Sequence, residues 1–257
     1  PMNGSDNMSE NKKYEFTGET KVWCGITLRK IRAITDISPN VPKGTEGGYI
    51  EDEKNLDQAG NAWVSENAWV YGNAWVSGNA WVSENAWVYG NAWVYGNARV
   101  SGNARVYGDA RVSGDAKVSG NARVYGNAWV YGDARVYGDA RVSGNAWVSG
   151  NAWVSGDARV SGNAKVSGDA RMYGDARVYG DADWLTIGPI GSRDAFVTFT
   201  NTKGGIYVVC GCFQGTLESF RERVQETHGD SEHGKAYLAA IEFAKCRIKP
   251  HREEADG

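Results

Sequence analysis

Histidine is scarce in this 257-residue sequence: three are present, and none lies in the long central segment from Asn61 to Gly180. Cysteine is also rare, at four residues, and no apolar signal segment stands at the start. These two features favour a reducing, cytoplasmic location over a disulfide-stabilised secreted protein. No run approaches the ~20 apolar residues of a membrane span, so we expect no membrane partner. The net charge of −3 favours no class of partner.

The abundant feature is a repeat rich in glycine, which contributes 34 residues. From Asn61 to about Gly180 the chain repeats a hexad of Gly, Asn or Asp, Ala, a large residue (Trp, Arg or Lys), Val, and Ser or Tyr. Ala and Val alternate with outward residues as in a short strand, and Gly with Asn or Asp suits the corner that follows. Such strict periodicity predicts a solenoid.

Three hexads would form the three sides of an 18-residue coil. The chain here resembles the left-handed parallel β-helix of hexapeptide-repeat proteins, in which a small residue follows an aliphatic one by four positions, as Ala68 follows Val64. The left-handedness is implied by this resemblance. The predicted fold class is therefore an all-β solenoid, a left-handed parallel β-helix with three hexapeptide sides per coil, followed by a small C-terminal α+β (ββαα) module.

The pattern changes outside the hexads and predicts five segments. A hairpin is predicted between Asp194 and Phe213, then one helix from Leu217 to Thr227 capped by Thr216, and a second from Ser231 through Lys245. The predicted segments are residues 1–12 as a disordered terminus or cloning remnant, 13–49 as an N-terminal cap, 50–190 as the β-helix, 194–249 as the ββαα module and 250–257 as a tail.

Two stretches carry resemblances to known families. The segment from Val41 to Ile50, together with the Asn-Ala-Trp-Val and Asp-Ala-Arg-Val hexads, resembles the YdcK-like hexapeptide proteins, which are often labelled as transferases. The stretch from Gly204 to His228 resembles a module of bacteriophage and prophage proteins of unassigned role. These resemblances imply a fold and a phage context. They carry little information on activity, because the transferase label itself rests on the fold.

The residues needed for the enzyme activities known on this scaffold are missing. Hexapeptide acyltransferases use a histidine near the coils and an extruded loop, and the related carbonic anhydrases hold zinc with coil histidines, but the repeat has neither histidine nor insertion. We therefore expect no catalytic residues and no cofactor. Cys210, Cys212, His228 and His233 could form a zinc set, yet Cys-x-Cys is a less usual clamp than Cys-x-x-Cys, so we expect structural roles and no bound metal.

The outward position of each hexad divides the repeat into two surfaces. The first two coils carry tryptophan on all three sides, and this predicted belt is a candidate interface for a protein partner or for self-association, because exposed tryptophan is enriched at binding sites. The tryptophan belt comprises Trp63, Trp69, Trp75, Trp81, Trp87 and Trp93.

Most of the later outward positions are cationic, and seven of the eleven follow an aspartate two residues earlier. From Asn61 to Asp183 the eleven cationic residues match eleven acidic ones, which favours a self-compensated surface over a nucleic-acid track. Arg105 and Arg123 are exceptions that follow asparagine, and each precedes a tyrosine, Tyr107 or Tyr125. These four residues form a candidate anion or nucleotide site, although stacking between coils for its own sake would also account for them.

The sequence favours a non-enzymatic, cytoplasmic interaction or scaffold protein of phage or prophage type that displays ladders of Trp, Arg and Tyr on a rigid rod. One alternative is a protein that sequesters a nucleotide or other anion, with a role against a host defence signal. The least favoured alternative is an acyltransferase-like enzyme. Nucleic acid is not an expected partner.

Overall fold

The computed structural model describes residues 12–248, so that most of the predicted N-terminal remnant and the whole predicted tail lie outside the described residues. Three strands come first, β1 (Tyr14–Trp23), β2 (Ile26–Ala33) and β3 (Glu46–Ile50). Twenty strands of two residues each follow as β4 to β23, one per hexad, from Trp63–Val64 to Arg177–Val178.

The short strands stack in parallel on three faces, each joining residues 18 positions apart, so the predicted β-solenoid is confirmed. The first face holds Trp63–Val64, Trp81–Val82, Arg99–Val100, Lys117–Val118, Arg135–Val136, Trp153–Val154 and Arg171–Met172. The second holds Trp69–Val70, Trp87–Val88, Arg105–Val106, Arg123–Val124, Arg141–Val142, Arg159–Val160 and Arg177–Val178. The third holds Trp75–Val76, Trp93–Val94, Arg111–Val112, Trp129–Val130, Trp147–Val148 and Lys165–Val166.

The core is a stack of alanine and valine rings closed by backbone hydrogen bonds between coils. Repeat positions such as Ala110 and Val118 are fully buried, and the Trp81 amide donates to the Ala98 carbonyl at 2.9 Å, as its equivalents do along the rod. Each corner needs a left-handed backbone, which glycine adopts without a steric penalty. Gly120 has φ +69°, and Glu66 and Glu84 hold the same conformation at φ +57° and +60°.

The N-terminal strands extend the second face. β1 pairs with β2, β2 with β3, and β3 adds in parallel to the Trp69–Val70 strand, giving a sheet of ten strands. Lys13 is buried beneath the first coil, where its ammonium donates to the Ala62 carbonyl at 2.9 Å. Burial lowers the pKa of Lys13 to about 8. The cap is therefore continuous with the solenoid through both sheet pairing and core contacts.

The C-terminal end differs from the prediction. Residues Trp184–Ile190 form β24, which pairs in antiparallel fashion with β25 (Ala195–Thr202), so the predicted end of the β-helix at residue 190 is wrong and the last repeat strand ends at Val178. The hexad spacing continues to Trp184 and Ile190 by residue type, but pairing to β25 satisfies the backbone of β24 outside the solenoid. Thr198 and Thr200 of β25 cover the last coil by contacts to Arg171 and Met172.

The C-terminal module consists of four strands and two helices, two strands more than the ββαα prediction. β26 (Gly205–Cys210) and β27 (Phe213–Thr216) complete the sheet, followed by α1 (Leu217–His228) and α2 (Glu232–Arg247). The helices begin after the predicted caps: the Thr216 and Ser231 hydroxyls accept from the amides three residues later. One face of the sheet and the two helices share a second core, with residues such as Phe199, Phe220 and Ile241.

Candidate binding surfaces

The most exposed tryptophans of the solenoid lie on its third face. Trp75, Trp93 and Trp147 are 36%, 41% and 38% exposed, whereas Trp69, Trp81 and Trp87 are more buried. We call the outward column of this face the tryptophan–arginine stripe. Its members, in order along the rod, are Trp75, Trp93, Arg111, Trp129, Trp147 and Lys165.

Neighbouring side chains of the stripe contact each other throughout. The Arg111 guanidinium lies between two indole rings, 5.0 Å from the centroid of Trp93 and 4.9 Å from that of Trp129. Trp129 stacks on Trp147 at 5.4 Å, and the Lys165 ammonium lies 5.3 Å from the Trp147 ring. Because the cations lie against the ring faces, the stripe is a continuous amphipathic column along the rod.

The predicted belt around the first coils is not one exposed surface. Trp63 is fully buried, which contradicts its assignment to an interface, because the cap packs over the first coil. On the second face Trp69 and Trp87 stack at 4.8 Å, and Trp23 of the cap lies edge-on against both rings, at 5.8 and 5.4 Å. Trp75 and Trp93 are left as the exposed part of the belt, and they belong to the stripe.

Five guanidinium groups form an arginine ladder on the second face, in the adjacent strands of that sheet. Within the described residues, no carboxylate lies within 4.0 Å of any of them, since every ion pair lies in the cap or in the C-terminal helices. The ladder consists of Arg105, Arg123, Arg141, Arg159 and Arg177.

The expected pairing of corner aspartates with these arginines does not form. The corner residues stack on each other instead: the Asn121 amide donates to the Asp139 carboxylate at 3.0 Å, and Asn91 donates to Asp109 at 2.9 Å. Asn and Asp of successive coils lie within hydrogen-bond distance at these corners, so an asparagine amide and not a guanidinium satisfies the Asp139 carboxylate. The positive charges of the arginine ladder are therefore balanced, within the described chain, only by carboxylates more than 4.0 Å away.

A tyrosine ladder runs beside the arginine ladder. Tyr71, Tyr89, Tyr107 and Tyr125 stack nearly parallel, with ring centroids 5.0, 4.9 and 5.0 Å apart. Burial raises the pKa of Tyr71 to about 12, with a further contribution from Tyr89, and burial raises the pKa of Tyr89 and Tyr107 as well. The stack thus holds neutral phenols whose ring faces contact each other.

The predicted anion or nucleotide site is assembled only in part. Arg105, Tyr107, Arg123 and Tyr125 do lie on adjacent coils. However, the Arg105 guanidinium lies 4.7 Å from the Trp87 ring, and Tyr107 is covered on both faces by its neighbours. Of these four residues, Arg123 makes no ion pair or ring contact in the described part of the chain, and Tyr125 has a tyrosine against one ring face only.

The cysteine and histidine cluster is loose. Burial raises the pKa of Cys210, which lies against Tyr237, while Cys212 is exposed. The imidazoles of His228 and His233 are 6.2 Å apart between centroids, and His228 packs at 5.4 Å against Tyr237. Among residues 12–248, no three His, Cys, Asp or Glu side chains are grouped closely enough to ligate one metal ion.

The stripe includes residues that the sequence argument left out of its candidate interface, namely Trp129, Arg111, Trp147 and Lys165. Their 18-residue spacing places them in one column with Trp75 and Trp93, so the sequence contains enough information to identify the stripe. What the sequence does not reveal is which columns the cap covers. Separately, neither helix in the described range is long and apolar enough to cross a membrane.

These three-faced parallel coils define the chain as a β-solenoid repeat protein. Its repeats match the family described as YdcK beta solenoid repeat over residues 68–84, 92–106, 104–116, 116–132, 134–150, 140–156 and 158–174. The matched segments lie within residues 68–174 of the solenoid, and this similarity agrees with the YdcK-like resemblance of the hexads. A search of curated proteins found no match.

Proposed function

We propose that this protein is a non-enzymatic binding protein that engages a protein partner, or a second copy of itself, through the tryptophan–arginine stripe. The observation that carries the proposal is the exposure of Trp75, Trp93 and Trp147 in one column. Tryptophan and arginine dominate the energetics of protein interfaces because they combine large apolar area with directed polar groups. A rigid column of both offers such an interface without an ordering cost.

The absence of histidine from the repeat supports a binding role over catalysis. A general base must reach a substrate proton within hydrogen-bond distance, and the repeat offers only carboxylates for this task. Several of these accept hydrogen bonds from asparagine on the neighbouring coil, as Asp115 does from Asn97 at 2.9 Å. These carboxylates therefore have a structural role.

The biological setting belongs to the same proposal. The resemblance of residues 204–228 to phage and prophage proteins supports a phage or prophage scaffold or interaction protein, and the low cysteine content supports action in the cytoplasm. In that setting the solenoid supplies a straight binding column, and the four-stranded module covers the end of the rod next to Met172.

The proposal is tested by replacing Trp93 and Trp147 with serine. This variant removes two exposed rings and leaves the alanine and valine core intact, so we expect a normal circular dichroism spectrum. Sedimentation velocity, and chemical cross-linking in producing cells, should show loss of the self-associated or partner-bound species. Trp153→Ser on the first face is the matched control, since Trp153 also stacks with arginines, at 5.0 Å from Arg135. Assembly that survives the double substitution, or falls equally in the control, contradicts the proposal.

A second candidate function is the binding or sequestration of an anion or nucleotide, including a nucleotide that carries a host defence signal. The observation that favours it is the arginine ladder, whose five guanidiniums have no carboxylate within 4.0 Å in the described range. Like charges on adjacent strands repel each other, and an anion would offset that repulsion. Arg105→Ala combined with Arg123→Ala should abolish nucleotide binding measured by calorimetry, and unchanged affinity would remove this candidate.

A further inference from the structure

The tyrosine ladder ends abruptly at Tyr125. One ring face of Tyr125 packs on Tyr107 at 5.0 Å and 3°. The next two residues in the column of Tyr125 are Ser143 and Ser161, so the column of rings stops while the coils continue. Among the described residues, neither an aromatic nor a cationic group covers the other ring face of Tyr125.

Arginine occupies the outward strand position beside Tyr125 and the one beside Ser143 on the next coil. Arg123 precedes Tyr125 by two residues, Arg141 precedes Ser143 by two, and the two arginines are paired on adjacent strands. In the described chain neither makes an ion pair or lies against an aromatic ring. Elsewhere on the outer surface the arginines Arg105, Arg111 and Arg135 each contact a tryptophan. An open phenol face beside two unengaged guanidiniums therefore occurs at this coil.

We propose that the end of the tyrosine ladder is a nucleotide site in which the base stacks on Tyr125 above Ser143 and the phosphate binds Arg123 and Arg141. The inference rests on the second candidate function and moves its site one coil along the rod, because Tyr107 has no open face. A planar base continues the period of the ladder where the two serines leave room for it. Arginine binds phosphate oxygens through two parallel N–H groups, which fixes the orientation of the ligand.

The same geometry favours a mononucleotide or dinucleotide over a long single strand. Binding along a strand requires a succession of aromatic platforms, one for each base. Here Tyr89 and Tyr107 present only ring edges, since both of their faces contact other tyrosines. One open face therefore limits stacking to a short ligand.

The test is to extend the ladder by one ring. Ser143→Tyr introduces a residue that this hexad position already accepts, and its ring would occupy the face of Tyr125. Ser119→Tyr is the matched control, because it adds a ring next to Tyr137 at the same hexad position on the first face. Calorimetry at low salt would compare adenosine monophosphate, guanosine monophosphate, adenosine, inorganic phosphate and oligoadenylates of increasing length, with thermal melting to verify folding.

We expect a monophosphate to bind the unmodified protein at least tenfold more tightly than adenosine or inorganic phosphate. Ser143→Tyr should reduce that affinity at least tenfold, Ser119→Tyr should leave it unchanged, and Tyr125→Phe should retain it because stacking needs no hydroxyl. Nucleotide binding that is unchanged in Ser143→Tyr overturns the inference.

Equal affinity for phosphate and nucleotide also overturns it, but preserves the arginine ladder as an anion site. Affinity that rises steeply with oligonucleotide length overturns it in favour of a polymer. If none of the probes binds, both this inference and the second candidate function are wrong. Assembly through the tryptophan–arginine stripe is unaffected by any of these results, since the stripe lies on another face.

Discussion

Trp63 packs against Gly47 so closely that a β-carbon on Gly47 would lie 2.8 Å from Cζ2 of its ring, and 2.6 Å from the Val64 carbonyl oxygen. This contact explains why Trp63 is buried while its equivalents on later coils are not: the cap lies directly on the first coil. Gly47 thus allows the cap to cover Trp63 and removes it from the exposed surface.

Gly47→Ala should therefore destabilise the protein by about 1–3 kcal/mol, the usual range for inserting a methyl group into a packed core. Guanidinium denaturation followed by tryptophan fluorescence would measure it. Gly204→Ala is the control, because its nearest atom is a threonine hydroxyl at 3.9 Å. Equal stability of the two variants would show that the cap does not press on the first coil.

Corner glycines allow a separation of backbone strain from coil packing. Gly120 and Gly168 have φ values of +69° and +65°, but a β-carbon on Gly120 would lie 2.9 Å from the Gly138 nitrogen, whereas one on Gly168 would meet nothing within 4 Å. Both alanine variants should lose about 1–2 kcal/mol through the left-handed backbone. Gly120→Ala should lose a further 1–3 kcal/mol or so through the contact. Denaturant midpoints that coincide would contradict this account of the corner.

Neutralising an arginine of the ladder and neutralising the arginine of the stripe should change the free energy of unfolding in opposite directions. Arg123→Gln removes a charge that has like-charged neighbours, Arg105 and Arg141, so it should raise stability by roughly 0.5 kcal/mol at low salt, with the gain shrinking as salt is added. Arg111→Gln removes a cation held between two indoles and should cost about 0.5–2 kcal/mol. Thermal melts at two salt concentrations check both, and a loss of stability in Arg123→Gln would contradict the repulsion.

The tyrosine ladder predicts a loss of stability in alkali. The unfolded chain titrates tyrosine near pH 10, whereas burial raises the pKa of Tyr71 to about 12 and that of Tyr89 and Tyr107 in the same direction. Above pH 10 the unfolded state therefore binds fewer protons than the folded state, and the free energy of unfolding must fall as pH rises toward 12. Tyrosinate absorbance should lag behind that of a denatured sample, and coincident titrations would contradict the prediction.

The sequence predicts the repeat well because one physical pattern recurs in every copy. Ala and Val positions such as Ala110 and Val118 are inward by alternation, and the corner glycines adopt the left-handed backbone that their spacing requires. The caps Thr216 and Ser231 start their helices for equally local reasons, since each hydroxyl reaches an amide three residues ahead.

The failures of prediction all involve contacts distant in sequence. Trp63 looks like every other outward tryptophan until the cap covers it. Trp184 keeps the hexad register, yet its backbone pairs with β25, residues that lie beyond the repeat. Asp139 and Arg141 belong to one hexad, yet the Asp139 carboxylate accepts its hydrogen bond from Asn121, 18 residues earlier. The hexad period alone does not specify any of these contacts.

Because each residue stacks over the one 18 positions away, an 18-residue period fixes the face on which each outward side chain lies. Deleting 18 residues from its middle would shorten every face by one strand and leave each downstream side chain on its own face. Deleting a single hexad would still satisfy the core, because all hexads are alike inside, but every later side chain would be carried to a neighbouring face. After a deletion ahead of Trp129, Trp129 and Trp147 would leave the tryptophan–arginine stripe and lie on the second face, in the column of Arg105. A change of length by six residues therefore preserves the core but alters which outward side chains share a face.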